Sequence, residues 1–131
     1  MIGLDTNILL RAVLDDDSRQ SPLARGIIGS LTPEEPGVVN SVALAEFSWT
    51  LRSGYGFSGA EIAAVIRKML DTRSYVFPDR DAIDDALLRC EADGLSFPDA
   101  LIGEINRAFG CGVTLTFDEK AAKSSAFKRV V

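Results

Sequence analysis

The stretch MIGLDTNILLRAVLD, Met1 to Asp15, decides how the chain is to be read. Its apolar run Ile2 to Leu4 has the length of a short strand and ends on a carboxylate, Asp5. Thr6 or Asn7 then caps a first helix, because Ile8, Leu9, Ala12 and Val13 recur at the spacing of one helical face. A strand, an acid and a helix in immediate succession are the opening of an α/β unit.

The same alternation continues outward. Asp15, Asp16 and Asp17 break the first helix and read as a solvated turn. Ser21-Pro22 starts a second helix, carrying Leu23, Ile27 and Ile28 on one side. Pro33 and Pro36 bracket a loop before a second strand, Gly37 to Asn40. Ser41 caps a helix that runs to about Ser53 and stops at Gly54 and Gly56. Ser58-Gly-Ala-Glu61 is a capping-box pattern ahead of Ile62, Val65, Ile66, Met69 and Leu70. Tyr75 to Phe77 is a third strand, stopped by Pro78. A helix over Asp79 to Asp93 buries Ile83, Ala86, Leu87 and Cys90 and closes at Gly94. Another, Pro98 to Phe109, ends at Gly110. Val113 to Phe117 is a fourth strand, Asp118 opens a short helix, and Arg129 to Val131 is an edge strand. Strands alternating with helices imply an α/β fold with a mainly parallel sheet, and short apolar strands fit burial on both faces. No repeat, linker or low-complexity tract interrupts residues 1–131, which read as one domain.

Composition narrows the chemistry. The 131 residues are 47% hydrophobic, enough for a core without disulfides or metal staples. The most apolar stretch, near Val42 to Leu51, is broken by Glu46 and Ser48, so no bilayer span is expected. The N-terminus lacks the basic region and long apolar segment of a secretory signal. Cys90 and Cys111 match no metal-ligand spacing and read as small core residues in a reducing, cytoplasmic setting. The chain contains no histidine, which removes Ser-His-Asp chemistry and His-liganded zinc together. Its net charge of −5 argues against an unspecific basic nucleic-acid binder. That balance still admits a nuclease, because site acids contribute to the count.

Four acids stand out by position. Asp5 ends the first strand and Asp118 the fourth. Asp99 lies in the first turn of the helix entering the fourth strand, and Glu46 about one and a half turns into the helix after the second. In open parallel sheets, functional groups gather beyond the carboxyl ends of the strands. If strands one and four are neighbours, Asp5 and Asp118 face each other there. Each acid also has a plainer reading: Asp5 and Asp118 favour helix starts, and Asp99 stands three residues after Ser96 at a capping distance. Glu46 is the hardest to explain away, because its neighbours Val42, Ala43 and Trp49 are apolar and a carboxylate among them is costly unless paired. Clustered carboxylates repel by roughly 3 kcal/mol per pair at about 5 Å and an effective dielectric near 20. Such a cluster calls for divalent cations or raised pKa values. Oxygen ligands without His or Cys suit Mg²⁺ or Mn²⁺, which activate water and stabilise a leaving oxygen in phosphodiester hydrolysis.

The segments I-G-L-D-T-N, V-A-L-A-E-F, S-F-P-D-A-L-I and T-L-T-F-D occur in an order and spacing that resembles the PIN-domain family, in particular the VapC-type toxins of bacterial toxin–antitoxin pairs. The resemblance covers essentially the whole chain and rests on the ordered set rather than on any one motif. It implies a three-layer α/β/α sandwich with a mainly parallel central sheet, and an acidic, Mg²⁺- or Mn²⁺-dependent ribonuclease site. By match, Asp5, Glu46, Asp99 and Asp118 take the family's acidic positions, with Asp5 and Asp99 as principal metal ligands. Thr6, Asn7 and Thr116 align with polar residues that orient water, metal or phosphate. A homodimer and a cognate antitoxin covering the site are implied as well.

Two other classes compete. A phosphotransfer aspartate at Asp5 is weakened because Asn7 stands where haloacid-dehalogenase-like phosphatases want a second acid, and receiver domains want an acidic pair. A non-catalytic PIN-like interaction module would dock a partner and bind no metal. Trp49, Phe47 and Phe109 are expected in the core rather than stacked on bases. Arg11, Arg52, Arg107, Lys120 and Lys123 are the cations available to phosphates.

Overall fold

The computed structural model describes all 131 residues, and they form two compact units, Met1–Pro78 and Asp79–Val131.

The first unit alternates β1 (Ile2–Gly3), α1 (Thr6–Leu14), α2 (Gln20–Ser30), β2 (Gly37–Val38), α3 (Ser41–Tyr55), α4 (Gly59–Leu70) and β3 (Tyr75–Val76). Its sheet has the order β1-β2-β3 and is parallel throughout, with Ile2 opposite Gly37 and Gly37 opposite Tyr75. Backbone bonds from Leu4 to Val38 and from Val39 to Val76, both 2.9 Å, carry the ladders one residue past the strand ends. Gly37 belongs at the centre of this sheet because a Cβ there would meet Leu31 and Leu4 methyls at 2.8 Å. Leu9, Val39, Leu44, Phe47, Leu51 and Ile66 are fully enclosed and make the core.

The second unit consists of α5 (Arg80–Asp93), α6 (Phe97–Phe109), β4 (Thr114–Thr116), a 3-10 turn (Ala121–Lys123) and β5 (Phe127–Arg129). Here β4 pairs with β5, again in parallel, with Thr114 opposite Phe127. The two helices pack on each other, and Ile83, Ala86, Leu87, Ala100 and Leu101 fill the space between them. Gly103 lets the Phe127 ring lie on α6, since a Cβ would stand 2.9 Å from that ring.

The α/β class with parallel strands agrees with expectation. So do the stops at Gly56, Gly94 and Gly110, all left-handed, where only glycine escapes a steric penalty. The full capping box at Ser58 and Glu61 forms as its pattern predicts. Several local expectations are corrected. Asp5, not Thr6 or Asn7, caps α1, and Asn40, not Ser41, caps α3 through a 2.9 Å bond from the Ala43 amide. Gly54 stays inside α3, which continues to Tyr55. The edge strand is Phe127–Arg129 rather than the last three residues.

Asp15 to Asp17 are not a merely solvated turn. Asp15 is the left-handed C-cap of α1, Asp16 takes two 2.8 Å bonds from Arg11, and Asp17 accepts the Arg19 and Gln20 amides. The Tyr55 hydroxyl also donates to Asp16, tying this turn to the end of α3. The strands are less buried than their apolar composition predicts, with both residues of β1 and Leu115 of β4 exposed. β1 is a sheet edge and β4 has one partner strand, so neither has neighbours on both sides. Cys90 is only half-buried and Cys111 is exposed, and neither is bonded to the other.

Candidate functional site

In the first unit, Asp5 and α3 are placed by the same device. β1 and β2 are parallel neighbours, so the helices that follow them both leave from the carboxyl edge of the sheet. Asp5 sits at that edge as the N-cap of α1, its Oδ1 accepting the Thr6 amide at 2.9 Å. Its second oxygen has no protein partner. Asn7 is exposed in the same turn. Thr6 is buried, and its Oγ1 has no hydrogen-bond partner at all. A buried hydroxyl without a partner costs on the order of 1–3 kcal/mol, so this atom gains from any polar partner that reaches it.

Glu46 corrects the reasoning that singled it out. It does not lie among packed apolar side chains. Val42 and Trp49 on its face of α3 are 70% and 65% exposed, and of the three neighbours only Ala43 is buried. The carboxylate is open to solvent and makes no ion pair, so burial imposes no need for a partner.

In the second unit, Asn106 near the end of α6 donates its Nδ2 to Thr114 Oγ1 at 3.0 Å, tying the start of β4 to that helix. Asp99 is in the first turn of α6, where its amide donates to Ser96 Oγ at 3.3 Å. The reciprocal bond of a capping box is absent, so the Asp99 carboxylate is not consumed by the cap. Its charge reaches Cys90 on α5. Burial, and secondarily the charges of Glu91 and Asp99, push the Cys90 thiol up to about 11. That thiol is protonated and inert as a nucleophile near neutrality.

Asp118 keeps part of its plainer role. Its Oδ1 accepts the Lys120 and Ala121 amides at 2.8 and 3.2 Å, opening the 3-10 turn, while its own amide donates to Thr116 Oγ1 at 3.0 Å. The other carboxylate oxygen is left over, and the Thr116 hydroxyl keeps a proton to donate. Asp5 and Glu46 lie in the first unit, Asp99 and Asp118 in the second. Within neither unit do three acidic side chains gather into a ready-made metal cage. Mg²⁺ does not need such a cage, since it keeps several waters and takes one or two carboxylates plus substrate phosphate. The all-oxygen donors and the orphaned Thr6 hydroxyl fit a hard divalent ion.

The cations divide in the same concrete way. Arg11 is held by Asp16 and Gln20, and Arg107 leans on Glu104 at 3.8 Å. Arg52, Lys120 and Lys123 carry no ion pair and are exposed. Among the aromatics expected in the core, Phe47 is fully buried, but Trp49 is exposed and Phe109 is 91% exposed. Glu104, which no motif singles out, is a carboxylate only 4% exposed between Arg89 and Arg107. Its signal was present: Phe97, Ala100, Leu101 and Glu104 follow the i, i+3, i+4, i+7 rule of a buried stripe.

The family model for the PIN domain matches residues 2–126, across both units. No curated protein matches the chain. No helix is long and apolar enough to cross a membrane.

Proposed function

Because the chain belongs to the PIN-domain family, whose members are generally nucleases using divalent metals, we propose that it is a Mg²⁺- or Mn²⁺-dependent endoribonuclease. In this reading it is the toxin of a VapC-type toxin–antitoxin pair, acting in the cytoplasm as a homodimer and silenced by a cognate antitoxin. The carrying observation is that Asp5, Glu46, Asp99 and Asp118 each retain a carboxylate oxygen with no protein partner, in a chain without histidine.

Asp5 and Asp99 are the proposed principal metal ligands, with Glu46 and Asp118 completing the set. A bound divalent ion would supply activation of water and charge stabilisation at the leaving oxygen. The protein's own groups do the rest. The Thr6 hydroxyl donates toward phosphate or water beside Asp5, Asn7 presents its amide in the same turn, and Thr116 holds the Asp118 backbone in place. An unpaired carboxylate orients the attacking water and takes its proton as the new P–O bond forms. The old P–O ester bond breaks and its leaving oxygen takes a proton from solvent, while the carboxylate returns its own to water, leaving one phosphate monoester and one hydroxyl.

The test uses structured RNA with Mg²⁺, with EDTA, and with Asp5→Asn or Asp99→Asn. Asn caps helices as well as Asp does, so Asp5→Asn removes the charge without removing the cap of α1. Cleavage should require metal and fall at least about 100-fold in either variant, as for loss of a principal electrostatic contact. Equal cleavage in every sample would mean a contaminant and end the proposal. The absence of a three-acid cage within either unit is the observation that favours a non-catalytic module instead. That module predicts no stabilisation by Mn²⁺, whereas binding at about 100 times Kd adds about 2.7 kcal/mol. Acyl-phosphate trapping at Asp5 would support the phosphotransfer reading.

A further inference from the structure

Trp49 is the largest apolar side chain that the first unit leaves in water, and it stands on the same face of α3 as a proposed site acid. Val42, Glu46, Trp49 and Ser53 recur at i, i+4, i+7 and i+11, which is one stripe along the helix. All four are exposed, and Trp49 is one turn from Glu46. Helical side chains lean toward the N-terminus, so the indole covers the turn that carries Glu46 rather than the turn beyond it. Arg52, in the last turn of α3, flanks the stripe without an ion pair.

We propose that Trp49 is a stacking platform for one base of single-stranded RNA, with Arg52 on a neighbouring phosphate, so that the adjoining phosphodiester is delivered beside Glu46. This rests on the nuclease reading and adds a positioning residue to it. The chemistry matches the occupant: a flat aromatic face accepts any base, and an unpaired guanidinium accepts phosphate. A second copy of the chain is the weaker occupant. Val42 and Trp49 together offer roughly 250 Å² of apolar surface. A stable interface takes about 800 Å² from each partner, rather more than half of it apolar.

Trp49 is the only tryptophan in the chain, so its fluorescence reports the contact directly. A short single-stranded oligoribonucleotide titrated in EDTA should quench it saturably. With labelled RNA, Trp49→Ala should weaken binding about 5- to 150-fold, the range of one base–aromatic stack. Its KM should rise while kcat holds, and Trp49→Phe should recover most of the loss. Arg52→Gln should weaken binding and flatten its salt dependence. Fluorescence blind to RNA, or Trp49→Ala binding RNA like wild type, overturns the proposal even if wild type cleaves. Loss of self-association in Trp49→Ala at unchanged RNA affinity assigns the face to a second copy and overturns it equally. Quenching without cleavage in any sample keeps the stacking contact and removes the nuclease reading.

Discussion

Glu104→Leu tests how the second unit holds the helix that bears Asp99. Glu104 is buried on α6 with Arg89 Nε at 3.0 Å and Arg107 Nε at 3.8 Å, and Arg89 also lies 3.7 Å from Asp93. Leucine matches the neighbouring core but leaves Arg89 facing an apolar side chain. Removing one partner of a buried pair costs about 3–5 kcal/mol. The guanidiniums here are 28% and 43% exposed, so water screens part of that loss. A discounted figure of about 2–3 kcal/mol follows. At about 3–5 °C per kcal/mol for a chain of this length, the melting temperature should fall by about 6–15 °C. Arg89→Leu in the same background should restore part of it, because the guanidinium that loss of Glu104 would have left unpaired is gone, although Asp93 then loses its ion-pair partner. The double-mutant cycle should give a coupling of about 2 kcal/mol. A single variant melting within about 2 °C of wild type, or additive effects within about 0.5 kcal/mol, would refute the view that this carboxylate clamps α5 to α6.

Gly103→Ala sets a helix-propensity gain of about 1 kcal/mol against overpacking of about 1–3 kcal/mol. With the Phe127 ring buried and 2.9 Å from the new Cβ, overpacking wins, and thermal melts should show a net loss. Asn40→Ala removes the side-chain cap of α3 and should cost about 1 kcal/mol in denaturant titration, while Asn40→Asp should be near neutral. Asp16 is held below its ordinary 3.8 first by the Arg11 bond and then by the Tyr55 hydroxyl. A depressed carboxyl stabilises the fold above its unfolded pKa and loses that contribution as pH falls through the lower, folded value. Tyr55→Phe should therefore be less stable than wild type at pH 6 and converge on it in acid titrations carried well below pH 3.8. Parallel curves over that range would remove the coupling.

What could be read from the linear chain is what short-range physics dictates. Helix ends were legible because Ser58 with Glu61, and glycines at 56, 94 and 110, act through bonds and torsions within a few residues. The parallel α/β class was legible from strand–helix alternation, and so was the placing of Asp5, Asp99 and Asp118 where those elements begin or end. Burial was not legible, because a periodic stripe says which residues share a face, not what that face meets. Glu46 looked enclosed from its neighbours' hydrophobicity, yet Val42 and Trp49 beside it are in water. Glu104 looked ordinary, yet it is enclosed by α5. Tertiary packing alone decides such cases, since desolvation depends on atoms contributed by residues far along the chain.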